Sequence, residues 1–300
     1  MHTWVQVMKP FIDRYRTGDQ AREQSPLRKA PSFVWKRFGD GYELRISLFA
    51  PAGHTAAARV PAVMFFYGGM WALDYEEEFV SWATHLATRG IACFIPEYRS
   101  HARFDVTADD IVAEGLEAWR WLHSNAEGLG IDARRITLAG ADAGGLMALN
   151  AAMQPIVKKS RWWRLGSRNE LPLMPASVAI FRGVIDTEAD EARLLRVLSE
   201  STAPDDINPS SLLRKHLPPL FCAHGMQDPL LDYEMREWFC HEWQRLGNRA
   251  ELVLCPHGDH TITHFEVNPM VYEQILLAWE DFMITLGIWP EEVMEESSLL

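Results

Sequence analysis

Hydrophobic and polar positions change rhythm several times along the chain. Within residues 1–30, Trp4, Val5, Met8, Phe11 and Ile12 recur at helical spacing, which predicts a helix laid on an apolar surface as a small N-terminal cap. Two alternating runs follow, Ser32–Phe38 and Tyr42–Phe49, joined by Gly39-Asp40-Gly41, the pattern of an antiparallel hairpin. From Val60 the runs become continuously apolar: Pro61–Tyr67, Gly90–Pro96, Arg135–Ala139, Ala176–Phe181, Leu220–His224 and Ala250–Cys255. Such runs fit strands buried on both faces of a parallel sheet. Helical patterns at Asp109–Ser124 and Asp232–Leu246 lie between them, which predicts a mostly parallel, doubly wound α/β sheet opened by the hairpin. Two stretches, 155–175 and 187–209, break the alternation. Neither is long enough to be a domain, so residues 1–300 read as one domain with two lid insertions.

Composition narrows this picture. Three hundred residues, 48% of them hydrophobic, suffice for a large single core. A net charge of −12 argues against nucleic acid, and the cluster Lys158, Lys159, Arg161 and Arg164 reads as a solvated face. Nowhere do about 18 apolar residues run together, so no membrane span is expected. Lys9, Asp13 and Arg14 interrupt any leader-like run at the start, and a cytoplasmic protein is expected. Cys93, Cys222, Cys240 and Cys255 are scattered, which fits buried free thiols in a reducing compartment. His257, His260 and His264 with Asp259 lack metal-type spacing, so neither metal nor other cofactor is expected.

The chemistry concentrates in Arg135-Ile-Thr-Leu-Ala-Gly140-Ala-Asp142-Ala-Gly144-Gly145. A strand runs into a turn of small residues and then a helix, a tight elbow that lifts its central side chain clear of the sheet. Three further landmarks are Tyr67-Gly68-Gly69-Met70-Trp71, Glu97-Tyr98-Arg99 and Ala223-His224-Gly225-Met226-Gln227-Asp228-Pro229-Leu230. A fourth, Pro256-His257-Gly258-Asp259-His260, follows them. In this order, over about Val60 to Phe265, the chain resembles the hormone-sensitive-lipase-like, acetyl-esterase and kynurenine-formamidase-like branch of the α/β hydrolases. The resemblance implies an α/β-hydrolase fold with Asp142, His260 and Asp228 as the triad. Backbone donors of an oxyanion hole would come from Gly68, Gly69 and Ala143. The chain departs from the family at two places: Asp142 stands where the family has serine, and Tyr67 where the oxyanion loop has histidine.

An aspartate there admits three readings. As a general base it would take a proton while backbone donors hold an oxyanion, serving condensation, cyclisation, elimination or hydrolysis of a small hydrophobic carbonyl compound. As a nucleophile it would resemble haloalkane dehalogenases and epoxide hydrolases, which usually carry an aromatic residue where Ala143 stands. As a helix-capping carboxylate it would leave a catalytically silent binding protein. In the first two readings His260 lies between two carboxylates, Asp142 and Asp228. Tyr67, Trp71, Trp162, Trp163 and Phe181 are candidates for lining a substrate cavity, against a plain packing role. Arg182 and Asp186, at the carboxyl edge of the sheet, would either bind a polar substrate group or pair on the surface. The partner expected is a small-molecule substrate, and the sequence leaves room for a homodimer.

Overall fold

The computed structural model describes residues 25–69, 76–100, 104, 106–153, 173–187 and 207–291. The N-terminal stripe from Trp4 to Ile12, most of both lid stretches, and Trp71, Trp162 and Trp163 lie outside the described residues.

Among the described residues, eight strands form one sheet in the order β1-β2-β4-β3-β5-β6-β7-β8. They are β1 (Ser32–Arg37), β2 (Glu43–Phe49), β3 (Val60–Phe66), β4 (Ala92–Pro96), β5 (Ile131–Ala141), β6 (Ser177–Phe181), β7 (Leu220–Gly225) and β8 (Ala250–Cys255). The hairpin of β1 and β2 is antiparallel, β2 meets β4 antiparallel, and the remaining neighbours are parallel. Gly41 turns the hairpin at φ 89°; the Phe38 N–H donates to Tyr42 O, and the Gly41 N–H donates back to Phe38 O. The hairpin sits at an edge and alternates in burial along β2, whereas β4, β6 and β7 are buried at every position. That contrast is the one the sequence patterns imply.

Helices flank the sheet. A short α1 (Pro26–Lys29) is capped by the Ser25 hydroxyl, which accepts the Leu27 N–H and donates to Glu77 at 2.6 Å. The others are α2 (Val80–Thr88), α3 (Ala108–Asn125), α4 (Ala143–Met153), α5 (Tyr233–Arg245) and α6 (Pro269–Thr285). A capping box of Thr107 and Asp110 starts α3, satisfying two backbone donors that the helix itself leaves unpaired. Asn268 and Pro269 start α6 in the same spirit, a cap followed by a residue with no N–H to satisfy. The apolar stripe of α6 brings Trp279 against Phe65, Phe181, Phe221 and Trp289, and α2 adds Trp82 beside Trp279 and Tyr272. Each such fully buried ring contributes about 1.5–3 kcal/mol relative to leaving it in water.

Register decides where the site can be. Phe66 pairs with Gly140, Ala141 with Phe181, Phe181 with Ala223, and Gly225 with Cys255. The carboxyl ends of β3, β5, β6, β7 and β8 are therefore level. Residues just beyond them, namely Gly68, Asp142, Arg182, Asp228 and His260, gather along one edge.

Candidate active site

Asp142 occupies a one-residue elbow between the last residue of β5 and the first of α4. Its backbone is left-handed, φ 52°, a conformation that costs an ordinary residue on the order of 1 kcal/mol or more. Hydrogen bonds on both sides hold it there. The Asp142 N–H donates to Phe181 O at 3.3 Å, and its carbonyl accepts Gly145 N at 3.1 Å and Val184 N at 3.1 Å. The flanking glycines are a steric requirement. A Cβ on Gly144 would stand 2.0 Å from Phe66 O, and one on Gly140 would stand 2.2 Å from Gly144 O. Small residues at these two places are what the sequence pattern demands, and the reason is this backbone contact.

Asp228 and His260 come together as the family pattern implies. His260 Nδ1 lies 2.8 Å from Asp228 Oδ2. The other oxygen of Asp228 accepts the N–H groups of Leu230 and Leu231 at 2.8 and 3.1 Å. His224 Nε2 is 3.3 Å from Asp228 as well. Burial alone would raise the Asp228 pKa. The charge and hydrogen bond of His260, with His224 and the Leu230 N–H, outweigh it and hold the carboxyl well below the usual carboxylate range. His257 is exposed and His264 is turned elsewhere, so His260 is the histidine of the three that reaches Asp228.

The far side of His260 meets a partner that the motifs did not indicate. Arg182 Nη1 lies 3.0 Å from His260 Nε2. A guanidinium can only donate, so this hydrogen bond takes the Nε2 lone pair and leaves the ring proton on Nδ1, facing Asp228. Arg182 follows β6 at φ 45°, and its N–H donates to Ala223 O at 2.8 Å, which fixes the direction of the side chain. Its Nη2 donates to Thr263 Oγ1 at 3.2 Å and forms a very short ion pair with Glu78 Oε1. Of the two uses the sequence allowed Arg182, surface pairing is excluded, because the residue is 4% exposed and its partner is buried.

Glu78 is the residue that sequence reasoning missed. It is the third glutamate of Glu76-Glu77-Glu78, a charge run of the kind that usually faces solvent. Here Glu77 turns to Ser25 and Glu78 turns inward. Glu78 Oε2 accepts the Gly68 N–H at 2.6 Å, and Oε1 accepts the Thr263 hydroxyl at 2.8 Å. Burial pushes its pKa up, but Arg182, His264, the Gly68 N–H and Thr263 bring it net below the ordinary value, so the group is a carboxylate. His264, 4.0 Å from Glu78, is driven down to about 4 by burial and is neutral at pH 7.

Of the three expected oxyanion donors, Gly68 has its N–H engaged by Glu78. Ala143 opens α4, where a first-turn N–H has no acceptor within the helix. Gly69 is left-handed at φ 101°. A Cβ on Gly68 would be 3.1 Å both from Asp142 Cβ and from Glu78 Oε2, so both side chains lie against Gly68. Two of the expected lining residues are packed in the core. Tyr67 is fully buried and stacks on Tyr98 at 4.3 Å, and Phe181 is enclosed by Phe79, Trp82, Phe221 and Trp279. The four cysteines are free and buried. Among the described residues no group of histidine, cysteine and acidic side chains has a metal-holding arrangement, and no helix is long and apolar enough to cross a membrane.

Known proteins similar to this chain are esterases and hydrolases. A family model described as BD-FAE matches residues 46–165. The chain is 32% identical over 118 residues to an ethyl acetate hydrolase of Pseudomonas putida, covering 38% of this chain and 36% of that protein. It is 24% identical over 241 residues to a probable isoprenylcysteine alpha-carbonyl methylesterase of Arabidopsis thaliana, covering 75% of this chain and 50% of the relative. The chain thus spans about half, or less, of the length of these curated relatives. Among solved structures, Thermogutta terrifontis esterase 2 in its apo form superposes with a TM-score of 0.77 at 26% identity, over 90% of this chain and 99% of that one. The butyrate-bound form of the same esterase superposes with a TM-score of 0.76 at 25% identity, over 89% and 98%. Sheet order, elbow and these likenesses give the chain the α/β-hydrolase fold, and they support the esterase- and lipase-like side of that superfamily for it.

Proposed function

We propose that the chain is a hydrolase-fold enzyme acting on a small hydrophobic ester or related carbonyl compound, with Asp142 as general base. The observation that carries the reading is the elbow. The chain keeps a left-handed backbone at φ 52° and two glycines that admit no Cβ, and it uses that arrangement to present a carboxylate beside a helix N-terminus. Carboxylate attack on an acyl carbonyl would give an anhydride, a poor intermediate. Proton removal from water, a hydroxyl or a carbon next to the carbonyl is the better use of an aspartate here. The Ala143 N–H, at the positive end of α4, would stabilise the oxygen on which charge develops. His260 and Asp228 would then act as a fixed polar wall, which orients substrate without serving as the proton relay of a serine enzyme. The esterase relatives and neighbours support a hydrolase type of activity on a small molecule.

The test is turnover of p-nitrophenyl acetate, p-nitrophenyl butyrate and a set of activated carbonyl compounds by wild type and by Asp142→Asn. Loss of about 10²- to 10⁴-fold in the asparagine variant is expected of a general base. Equal rates in the two proteins sink the reading.

A second reading has its own observation. Glu78 closes the Gly68 N–H, and Arg182 occupies the His260 lone pair, so the two groups a serine hydrolase needs open are satisfied internally. A catalytically silent binding protein built on the same fold would show this. It predicts no turnover in wild type and unchanged ligand binding in Asp142→Asn.

A further inference from the structure

We propose that Arg182, Gly68 and Thr263 form a receptor for a carboxylate, and that the protein's ligand or substrate is anionic, with its carboxylate taking the place that the Glu78 side chain holds in the structure. This rests on the proposed active site being a ligand site, and it names the substrate class.

Donors from separate parts of the chain converge on one carboxylate. They are the Gly68 N–H after β3, the Arg182 guanidinium after β6 and the Thr263 hydroxyl beyond β8. Each emerges at the level carboxyl edge of the sheet, where ligands of open α/β sheets bind. The Gly68 N–H belongs to the loop that holds substrate oxygen in enzymes of this fold, so Glu78 Oε2 stands where a ligand oxygen would stand. Arg182 also reaches His260 Nε2, and Gly68 lies against Asp142, so a carboxylate seated here is held directly beside the proposed base.

A permanent structural ion pair is the plain alternative. A buried pair is weak as a source of stability compared with well-packed apolar residues of the same volume, so stability alone does not account for one at this place. Planar, two-pronged recognition of a carboxylate is the use to which a buried arginine is best suited. Glu78 supports the displacement by its position. It belongs to a short 3-10 segment of four residues, Glu76–Phe79, which lies outside the sheet and leads directly into α2. The negative charge of Glu78 keeps the empty receptor neutral until an anion replaces it.

The experiment is titration of the 300-residue chain with sodium butyrate and with neutral butyramide, followed by calorimetry and by thermal shift. Wild type is expected to bind butyrate in preference to butyramide. Glu78→Gln, which keeps the shape and removes the competing charge, should bind butyrate about tenfold more tightly. Arg182→Gln should bind it about tenfold more weakly or not at all. Circular dichroism checks that each variant is folded, and Arg182→Lys substitutes if the glutamine variant is not. Equal binding of butyrate and butyramide, no tightening in Glu78→Gln, or unchanged affinity in the arginine variants would each overturn the proposal. Failure of the two ideas is separable, because Asp142→Asn should still bind butyrate. Butyrate binding without turnover of any ester removes the general-base reading and leaves the receptor standing.

Discussion

Arg182 donates from Nη1 to His260 Nε2 at 3.0 Å, the ring nitrogen that faces the nucleophile in a serine hydrolase. The contact closes a buried hydrogen-bonded chain, Asp228–His260–Arg182–Glu78, which ends on the Gly68 N–H. Exchanging Asp142 for serine is therefore not the same as restoring a serine enzyme. Asp142→Ser alone should hydrolyse p-nitrophenyl acetate less than about tenfold faster than wild type, since the lone pair that would accept the serine proton is engaged. Adding Glu78→Leu and Arg182→Met frees both His260 and the Gly68 N–H, and that triple variant should gain on the order of 10²-fold or more. Initial rates of the two variants side by side decide it, and a fully active single variant would show that Arg182 does not restrain His260.

The Glu78–Arg182 pair should behave as a unit in stability. Arg182→Met alone strands a buried carboxylate and should cost about 3–5 kcal/mol, whereas Arg182→Met with Glu78→Leu should be within about 1–2 kcal/mol of wild type. Urea unfolding of the four proteins of this cycle measures the coupling directly. Additive losses would mean that the two side chains do not share a buried environment.

Acid should destabilise the protein in two stages. His224 and His264 have folded pKa values lowered from 6.5 to about 4, chiefly by burial, so the unfolded chain binds protons that the folded one refuses. Their contribution is fully present above about pH 6.5 and is lost as pH falls towards 4, on the order of 3 kcal/mol for each. Asp228 and Glu78 are lowered as well, so their contribution is lost further down, as pH falls below the ordinary carboxylate range. Thermal melts between pH 7 and pH 4 should show a falling Tm, with a flatter profile in His264→Gln. An unchanged slope in that variant would remove His264 from the account.

The elbow should not tolerate a methyl group. Gly144→Ala places a Cβ 2.0 Å from the Phe66 carbonyl, which is backbone at the centre of the sheet and has nowhere to move. We expect more than about 3 kcal/mol of destabilisation, or an insoluble product. Gly39→Ala, where nothing lies within 4 Å of the added carbon, is the control, and the two should be compared by urea midpoint.

The frame of the molecule is written in local sequence. Strand runs, hairpin and two principal helices follow from periodicity and turn residues, because the chemistry that selects them is local. Ala250–Cys255 is a strand residue for residue, and the Asp109–Ser124 pattern lies within the helix Ala108–Asn125. The helix Pro269–Thr285 carries signals of the same local kind, an Asn268 cap, Pro269 and apolar residues at Val271, Ile275, Leu276 and Trp279. The elbow was legible for the same reason, since glycines two before and two after Asp142 answer a steric demand within six residues of chain. His260 and Asp228 were legible through motif order. Tertiary structure alone decided what surrounds them. Glu78 and Arg182 are 104 residues apart, and no local pattern distinguishes Glu78 from Glu76 or Glu77. Only the level ends of β3, β5, β6, β7 and β8 bring that carboxylate, the guanidinium and the Gly68 N–H to one point. Burial there removes the water that would otherwise satisfy each charge separately, so the groups satisfy one another.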